Sequence, residues 1–158
     1  MLKAKCPQCG ASFVGLVCDY CGALAGPIES MEDQKRALDE YHRHLRTGDR
    51  KKQIVFLKSG FLPDYNKLLI DAGLTCATLV NQDELMISRS EAAVSRLESI
   101  IMKLRILPQD EETKKAAEML QAKVDKFNKT QEQNTTYGLI FFAVVTALIV
   151  LAVWYFKS

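Results

Sequence analysis

Apolar positions recur at helical spacing along most of the chain. Leu38, Tyr41 and Leu45 fall three and four apart, the repeat of one helix face. Ser30 followed by Asp33 resembles a capped start and Gly48 supplies a stop, so a helix is predicted over 31–46. Asp49 is placed to cap a second, short helix carrying Ile54, Val55, Phe56 and Leu57 and ending at Gly60. After the break at Phe61-Leu62-Pro63, Asp64 is the expected cap of a helix through Tyr65, Leu68, Leu69 and Ile70 that stops at Gly73. A further turn through Cys76, Leu79 and Val80 follows. From Asp83 to Leu107 the residues Ile87, Val94, Leu97, Ile101 and Leu104 keep heptad spacing apart from Ser90, with Ala93, Ile100 and Leu107 widening the stripe. Pro108 ends that helix, and Asp110, Glu111 and Glu112 suit the positive end of another. Its expected face holds Ala116, Met119, Leu120, Val124 and Phe127. Residues 31–128 therefore read as a helical domain of four or five helices, with the stripes forming its core; a homo-oligomer through the long stripe is the alternative.

Residues 137–156 carry no charged or amide side chain, and about 20 such residues span a bilayer's hydrocarbon core as a helix. Tyr137 at one end and Trp154, Tyr155 and Phe156 at the other stand where aromatic belts lie. A single transmembrane helix is predicted there, after a polar stalk at 129–136. Lys123, Lys126 and Lys129 precede it and Lys157 follows, which orients the N-terminal part toward the cytoplasm. The expectation is a tail-anchored, single-pass protein of the bacterial inner membrane, with the start of the chain lacking the pattern of a secretory signal. The expected fold class is mainly α: a small N-terminal zinc ribbon (1–25), a linker (26–30) marked by Gly26 and Pro27, the helical domain and the transmembrane helix.

A net charge of +2 argues against a strongly electrostatic nucleic-acid binder. Five cysteines in a cytosolic setting need an explanation other than disulfides. Four of them stand as Cys6-Pro7-Gln8-Cys9-Gly10 and Cys18-Asp19-Tyr20-Cys21-Gly22. In each pair a tight turn brings two sulfurs to one cation, and four thiolates complete the tetrahedron that structural Zn²⁺ prefers, about 2.3 Å from each sulfur. Gly10 and Gly22 allow the positive φ such a turn needs. Four cysteines leave no open position for water, so a catalytic ion is not expected.

The two motifs resemble the zinc ribbon, specifically the short form found at the N-termini of bacterial membrane-associated proteins. The resemblance covers about residues 4–24, and the run at 56–73 is also similar to the region downstream of the finger in some of those proteins. It implies one structural zinc ion on Cys6, Cys9, Cys18 and Cys21. Iron in a rubredoxin-like site and thiol redox chemistry are the alternatives. The fifth cysteine, Cys76, lies among Leu74, Ala77 and Leu79 and reads as core.

Arg43, Arg46, Arg50, Lys51 and Lys52 concentrate positive charge. They are either a solvated helix end, offset by Asp39, Glu40 and Asp49, or a patch for anions. His42 and His44 are two apart and point in different directions on a helix, so neither is a good metal ligand. Phosphate-loop, dinucleotide, zincin and nucleophile-elbow motifs are absent from the sequence, and no catalytic residue is expected. The sequence thus points to a zinc-containing interaction or scaffold module held at the cytoplasmic membrane face, with a protein partner. The alternative is a membrane-tethered nucleic-acid binder using the ribbon and residues 42–52.

Overall fold

A computed structural model of the chain describes residues 4–81, 88–108 and 110–157, the side chains of 147 and 150–157 excepted. It divides into two compact units, residues 1–124 and 125–158. The described elements are β1 (Ala4–Lys5), β2 (Ser12–Phe13), α1 (Met31–Thr47), α2 (Arg50–Ser59), α3 (Asn66–Thr78), α4 (Ser88–Ile106) and α5 (Glu111–Lys157).

In the first unit, α4 packs against α2 and α3, and α1 against the same two helices. The core follows the apolar stripes: Leu38, Tyr41 and Leu45 of α1, Phe56 and Leu57 of α2, Leu69 of α3, and Leu97, Ile100, Ile101 and Leu104 of α4 are all buried. The caps of the first two helices form as expected, Ser30 accepting from Asp33 N and Asp49 from Lys52 N. Ser90, the polar interruption of the α4 stripe, is fully buried. Its hydroxyl both donates to Asn81 O at 3.0 Å and accepts from Asn81 N at 3.1 Å, so a core position is used to hold the backbone after α3.

Several expectations need correction. Asp64 does not cap α3: the N-cap is Tyr65, which makes no side-chain cap bond. Asp64 is held by Lys103 Nζ at 2.6 Å and by buried Gln34, whose amide donates to it and accepts from its N–H. Gly73 does not stop α3, which continues through Thr78. It is buried beside α5, and a Cβ there would lie 2.5 Å from Leu120 Cδ1, so the glycine serves close packing. Val55 and Met119 are exposed, because one helix face cannot bury neighbouring positions all round. The predicted helical start at 83–87, including Ile87, lies outside the described residues.

The predicted transmembrane helix is also corrected. Residues 137–156 form the distal part of α5, continuous with the stretch read as a stalk, but among the described residues no helix is long and apolar enough to cross a membrane. The side chains of Trp154, Tyr155, Phe156 and Lys157, on which the belt and orientation rested, lie outside the described set. The single-pass, tail-anchored placement at the bacterial inner membrane therefore loses its support, as does the membrane as a partner through this helix.

Candidate metal centre

The four cysteines of the N-terminal motifs converge. Their sulfurs all lie within 4.8 Å of one another, with Cys6 and Cys21 Sγ 3.6 Å apart and Cys9 and Cys18 Sγ 3.7 Å apart. A tetrahedron with metal–sulfur bonds of about 2.3 Å has edges of about 3.8 Å, so the donor set fits one tetrahedral ion. This cluster can hold a metal ion.

Two copies of one backbone turn build it. Gly10 N donates to Cys6 O and Cys6 N to Ala11 O; twelve residues on, Gly22 N donates to Cys18 O and Cys18 N to Ala23 O. The flanking ladder repeats in register, Lys5 opposite Ser12 and Val17 opposite Leu24. Gly10 and Gly22 adopt φ of 75° and 74°, the left-handed region that glycine enters without steric cost. The sequence carries the same duplication as Cys-x-x-Cys-Gly-Ala at 6–11 and 18–23. Phe13 with Cys6, Cys18 and Cys21 forms a small buried cluster of its own, with Ala11, Ala23 and Ala25 packed against it.

Electrostatics in the cluster are uneven. Burial pushes Cys21 up to about 12 and raises Cys18. Burial also works against ionisation of Cys6, but the backbone N–H groups of Cys9 and Gln8, with hydrogen bonds from the Cys21 and Cys9 side chains, outweigh it and bring that thiol down to about 6. Cys76 is remote in chain and role: buried in α3, its thiol is raised to about 12 by burial, with Arg96 opposing. It is a core residue, as its neighbours suggested.

The finger is docked on the helices through its second turn. Cys21 O lies 2.6 Å from Ser59 Oγ, and Gly22 O accepts from Phe61 N at 3.2 Å. Gly22 rests against Gly60, Phe56 and Tyr41, where a Cβ would come within 3.2–3.3 Å of each. Glu40 of α1 accepts from Leu16 N at 3.0 Å. His44 Nε2 stands 2.9 Å from Asp19 Oδ1, without the alignment of a hydrogen bond, and its ring packs on Phe56. Sequence reasoning singled out the four cysteines that converge and missed this dock. Glu40, His44, Ser59 and Phe61 are far from the cysteines in sequence, and only the glycines at 22 and 60 hinted at a close approach.

The basic stretch does not form one face. Arg43 and Arg46 border a depression shared with Asp39 and Glu40, and Arg43 is 3.9 Å from Glu40. Lys51 and Lys52 border a separate cleft beside Tyr20. His42 is buried 3.8 Å from Asp71 on α3, away from the cysteines.

No family model, curated protein or solved structure matches the chain.

Proposed function

We propose that the chain is a metal-stapled protein-interaction module, in which one structural zinc ion on Cys6, Cys9, Cys18 and Cys21 fixes a finger against a helical platform. The observation that carries this reading is the pairing of a four-sulfur cluster with a dock made by its own turn, Cys21 O on Ser59 and Gly22 O on Phe61. An ion there orders a segment too small to build a core alone and, in the same act, sets the position of exposed side chains such as Tyr20. Four thiolates complete a tetrahedral zinc shell and leave no position for a reacting water, which supports a non-enzymatic role and the zinc ribbon as the finger's relative. Nucleic-acid binding has less support: Arg43 faces Glu40 and Arg36 pairs with Asp33.

Metal analysis of the purified protein comes first. Colourless protein with one zinc per chain is expected, whereas visible absorption from iron–thiolate charge transfer would replace zinc with a rubredoxin-like site. A crosslinking pull-down then compares the intact chain with Cys18→Ser/Cys21→Ser. Defined protein partners that vanish with the variant are expected; unchanged recovery would detach recognition from the finger, and recovery of nucleic acid alone would move the function to that class.

A further inference from the structure

The four sulfurs of the cluster are not equally reachable. Cys6, Cys18 and Cys21 are buried, Cys18 completely, whereas Cys9 is exposed. Sulfur that ligates a metal is thiolate, the nucleophilic form of cysteine, so a small oxidant arriving from solvent meets one reactive sulfur. Two close sulfur contacts run between the turns: Cys9 Sγ is 3.7 Å from Cys18 Sγ, and Cys6 Sγ is 3.6 Å from Cys21 Sγ. Each joins the first turn to the second, so neither follows the Cys-x-x-Cys pairing of the sequence. Disulfide sulfurs stand about 2.05 Å apart, so the Cys9 contact becomes a bond by a movement of under about 2 Å.

We propose that Cys9 is a peroxide-sensitive site of the metal-loaded finger and that Cys18 resolves it, bridging the two turns and freeing the ion. The inference rests on the metal-stapled reading, which keeps all four sulfurs in the thiolate form. In the first step the Cys9 thiolate attacks one oxygen of hydrogen peroxide. The S–O bond forms as the O–O bond breaks, the sulfur is oxidised to a sulfenic acid, and hydroxide leaves. In the second step the Cys18 thiolate attacks the Cys9 sulfur; the S–S bond forms as the S–O bond breaks, and a second hydroxide leaves. Both hydroxides take protons from solvent, so one peroxide and two thiolates yield one disulfide and water. Cys18 is shut off from solvent peroxide yet stands against Cys9, which suits it to resolve the sulfenic acid rather than form one. The bridge removes one ligand from each turn, and Cys6 and Cys21 alone cannot complete a tetrahedral shell. A covalent link then joins the same two turns that the ion had joined.

The test treats the zinc-loaded full chain with one equivalent of hydrogen peroxide, follows released zinc with a chromogenic chelator, and maps disulfide-linked peptides by mass spectrometry. Zinc release is expected together with the loss of two free thiols and a linkage of Cys9 to Cys18, all reversed by dithiothreitol and fresh zinc. Cys9→His keeps four ligands, since an imidazole serves structural zinc beside three thiolates. Its zinc release should be slower by about tenfold or more, because the exposed thiolate is gone. A first linkage within either Cys-x-x-Cys pair, equal release from Cys9→His, or zinc retained in excess peroxide would each overturn the proposal. The peptide map is read on the parent chain, so it decides the pairing whatever the variant does. A chain that takes up no zinc defeats the staple reading itself, before any oxidant is added; a loaded chain that keeps its zinc under peroxide defeats this inference alone.

Discussion

Ser59 and Cys21 stand 38 positions apart in sequence, yet the serine hydroxyl lies 2.6 Å from the cysteine carbonyl and 2.8 Å from Val55 O. One proton is shared between a helix carbonyl and the turn that presents two of the four sulfurs. Ser59→Ala should therefore lower the stability of the metal-loaded protein by about 1 kcal/mol, the usual net worth of one such bond, in chemical denaturation. In excess chelator the same substitution should cost less, because the turn it supports is no longer fixed by an ion. An equal cost in both conditions would mean that Ser59 acts only within α2.

Gly60 is a tightly packed point beneath the dock. A Cβ there would lie 2.3 Å from Tyr41 Cε2 and 2.6 Å from Phe56 O, and Tyr41 is itself fixed by its hydroxyl donating to Phe56 O at 3.0 Å. Gly60→Ala should destabilise the fold by about 1–3 kcal/mol, as overpacking of a core does. Gly26, whose added Cβ would meet nothing within 4 Å, is the control, and Gly26→Ala should stay within about 0.5 kcal/mol of the parent. Thermal unfolding of the two variants decides the matter; similar melting temperatures would contradict the close approach.

Metal loading should release protons in a pH-dependent way, because only thiolates ligate. In the metal-free finger, burial keeps Cys18 raised and Cys21 at about 12, so both hold protons at neutral pH, while Cys6, at about 6, has largely lost its own. Protons compete with the ion, so affinity rises with pH. Zinc binding at pH 7 should release at least two protons, with Cys6 adding to the number as pH falls through about 6. Calorimetric titration in buffers of different ionisation enthalpy measures this, and fewer than two protons at neutral pH would contradict it.

The helices and the cysteine cluster were legible in sequence for the same reason: both are written in short-range spacing. Leu38, Tyr41 and Leu45 reveal a face because a helix repeats every few residues, and Cys6 and Cys9 reveal a turn because two ligands need one knuckle. Asp64 misled because a good capping residue was drawn away by Gln34 and Lys103, partners that only tertiary packing supplies. Gly73 misled because a glycine that ends a helix and one that admits Leu120 look alike in sequence. The apolar run after residue 136 misled through its composition: it continues α5, and among the described residues no helix is long and apolar enough to cross a membrane. The dock itself joins residues tens of positions apart and leaves no local pattern.

His42 gives the helical unit an acid sensitivity independent of the metal. Burial lowers its pKa, with Asp71 at 3.8 Å opposing and Arg46 assisting. The unfolded chain then takes up a proton before the folded one, so stability rises with pH, is complete above the ordinary histidine value of about 6.5, and declines below it. His42→Gln should flatten the pH dependence of the unfolding free energy between about pH 5 and 7. An unchanged slope would assign the acid sensitivity to other groups.

The sulfur cluster has a sheltered side and an open one. Cys6, Cys18 and Cys21 are buried and Cys9 alone is exposed, even though the two turns are copies of each other. The difference arises because only the second copy leans on the helices. An incoming thiol or chelator would therefore meet the Cys9 sulfur first, and an ion held by the four sulfurs would exchange by substitution at that one corner. How long an ion resides is then governed by access to a single bond, whereas how tightly it binds is set by all four.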